Sequence, residues 1–133
     1  MVPTDVAKKC RTEGTIPVLH DADGRPLKRN FVHVEDLVSA ITAALDNSAA
    51  RGKLYNICMD EPVDYGVVAS HLKKSRGPGS IAIPSSYHST WLDNSKAKFE
   101  LGWSPRYDLA KLIDAAWDYM RAANDPRKIW YPG

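Results

Sequence analysis

Leu109, Leu112, Ile113, Ala116, Trp117 and Met120 fall at i, i+3, i+4, i+7, i+8 and i+11, which draws one apolar stripe along a helix. A helix of that length owes most of its stability to whatever covers the stripe, so the chain must supply a second layer. Asp108 stands ready to cap its start, and Pro126 marks its end. The earlier segments offer several partners. A short first helix is predicted from Thr4 and Asp5 to Gly14. Leu37, Val38, Ile41 and Leu45 form one apolar face behind Glu35 and Asp36, which oppose the positive helix end. Val67, Val68 and Leu72 follow an Asp64 cap and stop at Gly77-Pro78-Gly79. A brief helix from Asn94 or Ser95 carries Ala97 and Leu101 and ends at Gly102.

Strand-forming residues are scarcer. Residues 15 to 34 read as a hairpin, with TIPVL as one arm, Asp23-Gly24 as the turn and Leu27 to Val34 as the return. KLYNIC, 53 to 58, is a compact apolar strand, SIAIP a further one, and 85 to 93 a loop. Four to five helices against few short strands define an α/β chain whose sheet is too small to stand alone. At 133 residues the chain fits a single domain, 1–133.

Composition removes several classes of function. Eighteen Lys and Arg oppose sixteen Asp and Glu, a net charge of +2, and the basic residues are interleaved with acidic ones, so nucleic acid is not an expected partner. No apolar run nears the roughly 20 residues a bilayer span requires, and the N-terminus lacks the apolar core of a secretory signal. A cytoplasmic protein without a membrane partner is expected. Cys10 and Cys58 lack a Cys-x-x-Cys spacing and read as free thiols.

Most chemical motifs fail on spacing. The glycines at 14, 24, 52, 66, 77, 79, 102 and 133 never form the turn that brings a pyrophosphate to a helix start. Tyr107 and Lys111 have the Tyr-x-x-x-Lys separation of a general acid/base pair, but Tyr107 precedes the Asp108 cap and leaves the helix that carries Lys111. His20, His33, His71 and His88 share no metal-ligand spacing. Asp21-Ala-Asp23-Gly24 is better explained by a hairpin turn than by a calcium loop, and no nucleophile elbow is present. No catalytic or metal-binding residue is assigned. LKRNFVHVEDLVSAI, residues 27 to 41, remains. Arg29 there is either a solvated strand-end charge or part of a binding face: strand alternation puts Arg29, Phe31 and His33 on one side and Asn30 and Val32 on the other. A guanidinium and an aromatic ring projecting together suit a phosphate or carboxylate.

RNFVHVEDLVSAI resembles the Arg-Asp-Phe-Val-His-Val-x-Asp segment of the extended short-chain dehydrogenases, the NAD-dependent epimerase/dehydratase family. GKLYNICMDEPVDYGVVASHL is similar to the family's Gly-x-x-Tyr-Asn-Val-Gly strand and helix, and DNSKAKFELGWSPRYDLAKLI to its Asp-x-Ser-Lys-Ala and Leu-Gly-Trp-x-Pro signatures. The resemblance covers nearly the whole chain. It implies the carboxyl-terminal, substrate-binding portion of a Rossmann-type fold whose cofactor-binding core and catalytic set lie upstream and are missing here. NAD or NADP would serve the complete enzyme, and none is expected to bind this chain alone, which would be inactive by itself. The substrate would be a sugar or nucleotide sugar, and this region would orient it while hydride passes to the nicotinamide. The alternative is a standalone, non-catalytic module for ligand binding or protein contact.

The resemblance implies that Arg29 contacts a substrate diphosphate and that Phe31 lies beside the nucleotide, with Asn30 in place of the family's acidic residue. The family's Arg-Pro-Gly-Asp segment corresponds here to Pro84-Ser85-Ser86-Tyr87-His88, so a second arginine is lost. That forfeits on the order of 1.5–3 kcal/mol of charged hydrogen bonding and favours a smaller sugar or sugar acid, with Tyr87 and His88 as replacement donors. In relatives the LYNIC strand joins the large sheet. Self-association through the exposed edge at Leu54 to Cys58 is therefore expected.

Overall fold

The computed structural model describes residues 8–10, 12–76 and 79–121. In chain order these form β1 (Ile16–Leu19), β2 (Lys28–Arg29), α1 (Val34–Leu45), a 3-10 turn (Ser48–Ala50), β3 (Val63–Asp64), α2 (Tyr65–Arg76), β4 (Ser80–Ile83), α3 (Ser95–Leu101) and α4 (Leu109–Arg121). Residues 8–10 and 12 are helical as well. The rest of the expected first helix, and the Pro126 stop, lie outside the described residues.

Side chains at the helix starts explain why the helices begin where they do. His33 Nδ1 accepts the Glu35 N–H at 3.2 Å, Asp64 Oδ1 accepts that of Gly66 at 2.8 Å, Asp93 Oδ1 that of Ser95 at 2.8 Å, and Asp108 Oδ1 that of Lys111 at 2.9 Å. Gly102 closes α3 with φ 62°, the left-handed conformation that glycine adopts without a Cβ penalty.

The strands differ from the expected hairpin. β1 pairs in parallel with β4, Ile16 opposite Ser80 through Leu19 opposite Ile83, while β2 pairs antiparallel with β3, Lys28 opposite Asp64 and Arg29 opposite Val63. Of the hairpin only its tip survives. Asp21 Oδ1 accepts the N–H groups of Asp23 and Arg25, both at 3.0 Å, Gly24 takes φ +77°, and one bridge joins His20 to Pro26. Past Pro26, which has no N–H, Leu27 N still donates to Leu19 O at 2.8 Å, while β1 forms its strand pairing with β4. Residues 53–58 do not form the expected strand. They run without bend or turn, and side chains take two of their carbonyls: Lys96 Nζ donates to Leu54 O at 3.0 Å and Asn94 Nδ2 to Cys58 O at 2.9 Å.

Two small cores result. Ile16 and Val18 of β1 pack on Ala69 of α2, flanked by Tyr65 and Leu72. Ala40 of α1, Ala97 of α3 and Trp103 form the other, flanked by Tyr55, Ile57 and Leu101. α1 buries Asp36 and Ala40, while Leu37, Val38, Ile41 and Leu45 of its apolar face are exposed. The stripe of α4 is likewise not buried. Its Ile113, Ala116, Trp117 and Met120 face Ile16, Pro17, Val68 and Leu72 across an apolar cleft of about 510 Å³.

What fixes α1 is a clasp. Oδ2 of Asp36 accepts the backbone N–H groups of Arg106 and Tyr107, each at 3.0 Å, and Trp103 Nε1 donates to Asp36 O at 3.1 Å and to Ser39 Oγ at 2.9 Å. The first turn of α1 is thereby tied to the segment joining α3 to α4.

Candidate functional site

The segment 28–31 is the spine of the candidate site. On one side it pairs with β3. On the other the loop after β4 is fastened to it: Lys28 N donates to Ser89 Oγ at 3.1 Å, Thr90 N to Lys28 O at 3.1 Å, and Leu92 N to Asn30 Oδ1 at 2.9 Å. Ser89 Oγ also donates to Asp21 Oδ2 at 2.8 Å. That bond is the main reason the Asp21 carboxyl sits below its ordinary range, with the Arg25 N–H next. The loop is further held where Ala22 N donates to Tyr87 O at 2.8 Å and Ser85 Oγ to His20 O at 2.6 Å.

Within this frame the structure brings two of the sequence-derived residues together. The Arg29 guanidinium lies over the Tyr87 ring, 5.4 Å from its centroid, while Tyr87 itself remains exposed. A guanidinium resting on a ring face keeps its N–H edge available for an oxyanion. Phe31 is exposed on the same spine, where its carbonyl accepts the Met59 N–H at 2.8 Å. His88 is exposed on the loop between Tyr87 and Ser89.

Arg29, Phe31 and His33 do not share one strand face, contrary to the expected alternation. β2 ends at Arg29, and His33 serves as the α1 cap, its ring stacked on Tyr107 with centroids 3.7 Å apart. Asn30 spends its oxygen on Leu92, and its Nδ2 is buried with no hydrogen-bond partner among the described residues. Trp91 was not singled out from the sequence, yet it is exposed between the two residues whose amides bind Lys28 and Asn30. A tryptophan in a loop was the available signal.

Tyr107 and Lys111 do not form an acid/base pair. Tyr107 precedes α4, and its hydroxyl donates to Glu35 Oε2 at 3.0 Å. That bond, with burial, pushes its pKa above the ordinary tyrosine value, the opposite of what a proton-transfer tyrosine requires. Lys111 Nζ instead donates to Arg106 O at 3.0 Å. Among the described residues no group of three or more His, Cys, Asp and Glu side chains is placed to hold a metal ion, and no helix is long and apolar enough to cross a membrane. Nor do the described helix starts fit a dinucleotide. The cap positions His33, Asp64 and Asp108 place side chains where a pyrophosphate needs bare glycine backbone.

An α/β chain with two partial sheets, a Trp-anchored helix pair and an arginine-bearing spine is a portion of the extended short-chain dehydrogenase architecture. It superposes with a TM-score of 0.67 on a short-chain dehydrogenase/reductase superfamily protein from Agrobacterium tumefaciens with bound NAD, at 20% identity over 75% of this chain and 31% of that one. Against UDP-glucuronic acid 4-epimerase from Bacillus cereus in complex with NAD the TM-score is 0.63, at 25% identity over 86% and 37%. Residues 1–58 match the family model described as NAD dependent epimerase/dehydratase family. The UDP-glucose 4-epimerase of Rhizobium meliloti (strain 1021) is 30% identical over 105 residues, 72% of this chain and 31% of the relative. The chain is thus similar to the NAD-dependent epimerase/dehydratase family in sequence and in fold, and it spans about a third of the length of the curated relatives it matches.

Proposed function

We propose that this chain is the substrate-binding part of an NAD(P)-dependent epimerase, dehydratase or dehydrogenase acting on a sugar or nucleotide sugar, and that it does not turn over substrate by itself. The observation that carries this reading is the Arg29 guanidinium held over the exposed Tyr87 ring on a spine zipped to the loop 89–92. In that arrangement Arg29 takes the anionic group of the ligand, and Tyr87 holds the guanidinium in place while offering its hydroxyl. Phe31 supplies an apolar wall and His88 a further donor. Hydride transfer belongs to the cofactor part of the complete enzyme, with NAD as the cofactor named for the solved neighbours. The role of these residues is to fix the ligand's orientation. Self-association through the unpaired segment 54–58 completes the reading.

Titration of the chain with UDP, UDP-glucose and glucuronate, followed by ligand-observed NMR, tests it. Binding of at least one of them is expected, weakened about tenfold or more in Arg29→Ala, in keeping with a charged hydrogen bond of roughly 1.5–3 kcal/mol. Binding that Arg29→Ala leaves unchanged would overturn the assignment.

A further inference from the structure

One tight turn, residues 21–25, is bonded to both partners of the contact between Arg29 and Tyr87. Ala22 N donates to Tyr87 O at 2.8 Å. Its neighbour Asp21 reaches Arg29 through a relay: Asp21 Oδ2 accepts the Ser89 hydroxyl at 2.8 Å, and Ser89 Oγ accepts the N–H of Lys28, the residue before Arg29, at 3.1 Å. The serine hydroxyl thus donates to the turn and accepts from the spine at once.

The turn is itself fixed. Asp21 is only 5% exposed, and its Oδ1 accepts the Asp23 and Arg25 N–H groups at 3.0 Å each. Its own N–H donates to Arg25 O at 2.7 Å, Gly24 N donates to Asp21 O at 3.0 Å, and His20 N donates to Ile83 O at 2.8 Å, which joins the turn to β4. A carboxylate enclosed by that many donors, in charge-assisted bonds, has no other orientation to adopt. The contact it borders is weak by comparison. A guanidinium over an exposed ring gains little by itself and must offset the ordering of a long side chain, so the separation of 5.4 Å depends on what holds the two backbones.

We infer that Asp21 and Ser89 are positioning residues for the ligand site: the buried carboxylate and the serine hydroxyl set the Tyr87 ring against Arg29 and so fix where the guanidinium edge points. Both act through Arg29 and Tyr87. Their effect on binding rests on Arg29 as the anion contact of the proposed function, but the positioning itself is measurable with no ligand present.

Side-chain ¹H–¹⁵N spectra of the arginine Nε–H groups test it, with the Arg29 signal assigned by its loss in Arg29→Lys. The Tyr87 ring current should displace that signal in the wild type, and Tyr87→Leu should abolish the displacement. Ser89→Ala, at an exposed position, should move the signal most of the way to its place in Tyr87→Leu, whereas Ser89→Thr, which keeps the hydroxyl, should leave it near wild type. Asp21→Ala should move it in the same direction, with circular dichroism checking that the helices remain. For whichever of UDP, UDP-glucose and glucuronate binds, Ser89→Ala should weaken affinity about fivefold, the worth of one net hydrogen bond, and should add nothing in a Tyr87→Leu background. An Arg29 signal that Ser89→Ala leaves in place overturns the proposal. So does an equal loss of affinity with and without the Tyr87 ring, because Ser89 would then brace the fold rather than the contact. Binding indifferent to Arg29→Ala, beside an Arg29 signal that Ser89→Ala does move, refutes the anion contact and upholds the positioning.

Discussion

Replacing Asp36 with alanine removes the acceptor for two backbone donors at once. The side chain has no exposed surface. Its Oδ2 takes the Arg106 and Tyr107 amides at 3.0 Å each, and its Oδ1 faces Arg106 Nε at 3.4 Å. A buried donor left without a partner costs about 1–3 kcal/mol. Both amides are only partly buried, so the lower end applies and the pair costs about 2–3 kcal/mol. The Arg106 side chain is 65% exposed, and its share of the ion pair adds little once water screens it. Asp36→Ala should therefore lose about 3 kcal/mol, a large part of the 5–15 kcal/mol typical of a domain. Asp36→Asn keeps a carbonyl oxygen with two lone pairs and should lose about half as much. Urea unfolding followed by far-UV circular dichroism and tryptophan fluorescence measures both. If Asp36→Ala lies within about 0.5 kcal/mol of wild type, the range of an ordinary surface change, the clasp is not what holds α1 to the segment after Trp103.

Gly102→Ala should cost about 1 kcal/mol from backbone conformation alone, since φ there is +62° and no atom lies within 4 Å of an added Cβ. A stability equal to wild type by the same urea titration would contradict this. Acid should destabilise the fold. The carboxyls of Asp21, Asp60, Asp93 and Glu100 are all held below their ordinary range, chiefly by hydrogen bonds from Ser89, Lys98, Ser95 and Lys53 respectively. Lowered folded-state values mean that the folded chain holds fewer protons than the unfolded one. The stabilisation is complete above the ordinary carboxylate range near pH ~4 and is lost as the pH falls through the lowered values. Melting temperature across an acid series should be level and then fall, and a rise on acidification would count against the assigned bonds.

The helices were legible because their signals are local. Apolar spacing, Asp64 and Asp108 caps and the Gly102 stop are written within each segment, and α2, α3 and α4 appear where those signals put them. Strand partners were not legible. Nothing near Ile16 says that it will lie beside Ser80. The inner side of α1 was not legible either: a carboxylate 0% exposed lies there because it accepts two amides some 70 residues away. Of the four candidate site residues, Arg29 and Tyr87 meet in the structure, a meeting set by loop bonds between Ser89, Thr90 and Leu92 and the spine that no sequence spacing encodes.

The same bonds explain why the family is recognisable while its ligand is not. The segments that carry the likeness, RNFVHVED and LGWSPR, touch each other: Asp36 binds Arg106 and Tyr107, and Trp103 binds Asp36 and Ser39. Each supplies acceptors or donors to the other, the partly buried Arg106 and Tyr107 amides and the buried Trp103 Nε1 among them, so the two are tied as a pair by their own hydrogen bonds. The stretch Pro84 to His88 is under no such constraint, because its side chains at Ser86, Tyr87 and His88 are exposed and its hold on the spine runs largely through backbone atoms and serine hydroxyls. Ser86, Tyr87 and His88 can be exchanged there without loosening either core. If Arg29 and this loop act as proposed, exchanging residues 86–88 for an arginine-containing sequence, which leaves the Ser85 hydroxyl on His20 O, should change which ligand binds while leaving the urea midpoint unmoved.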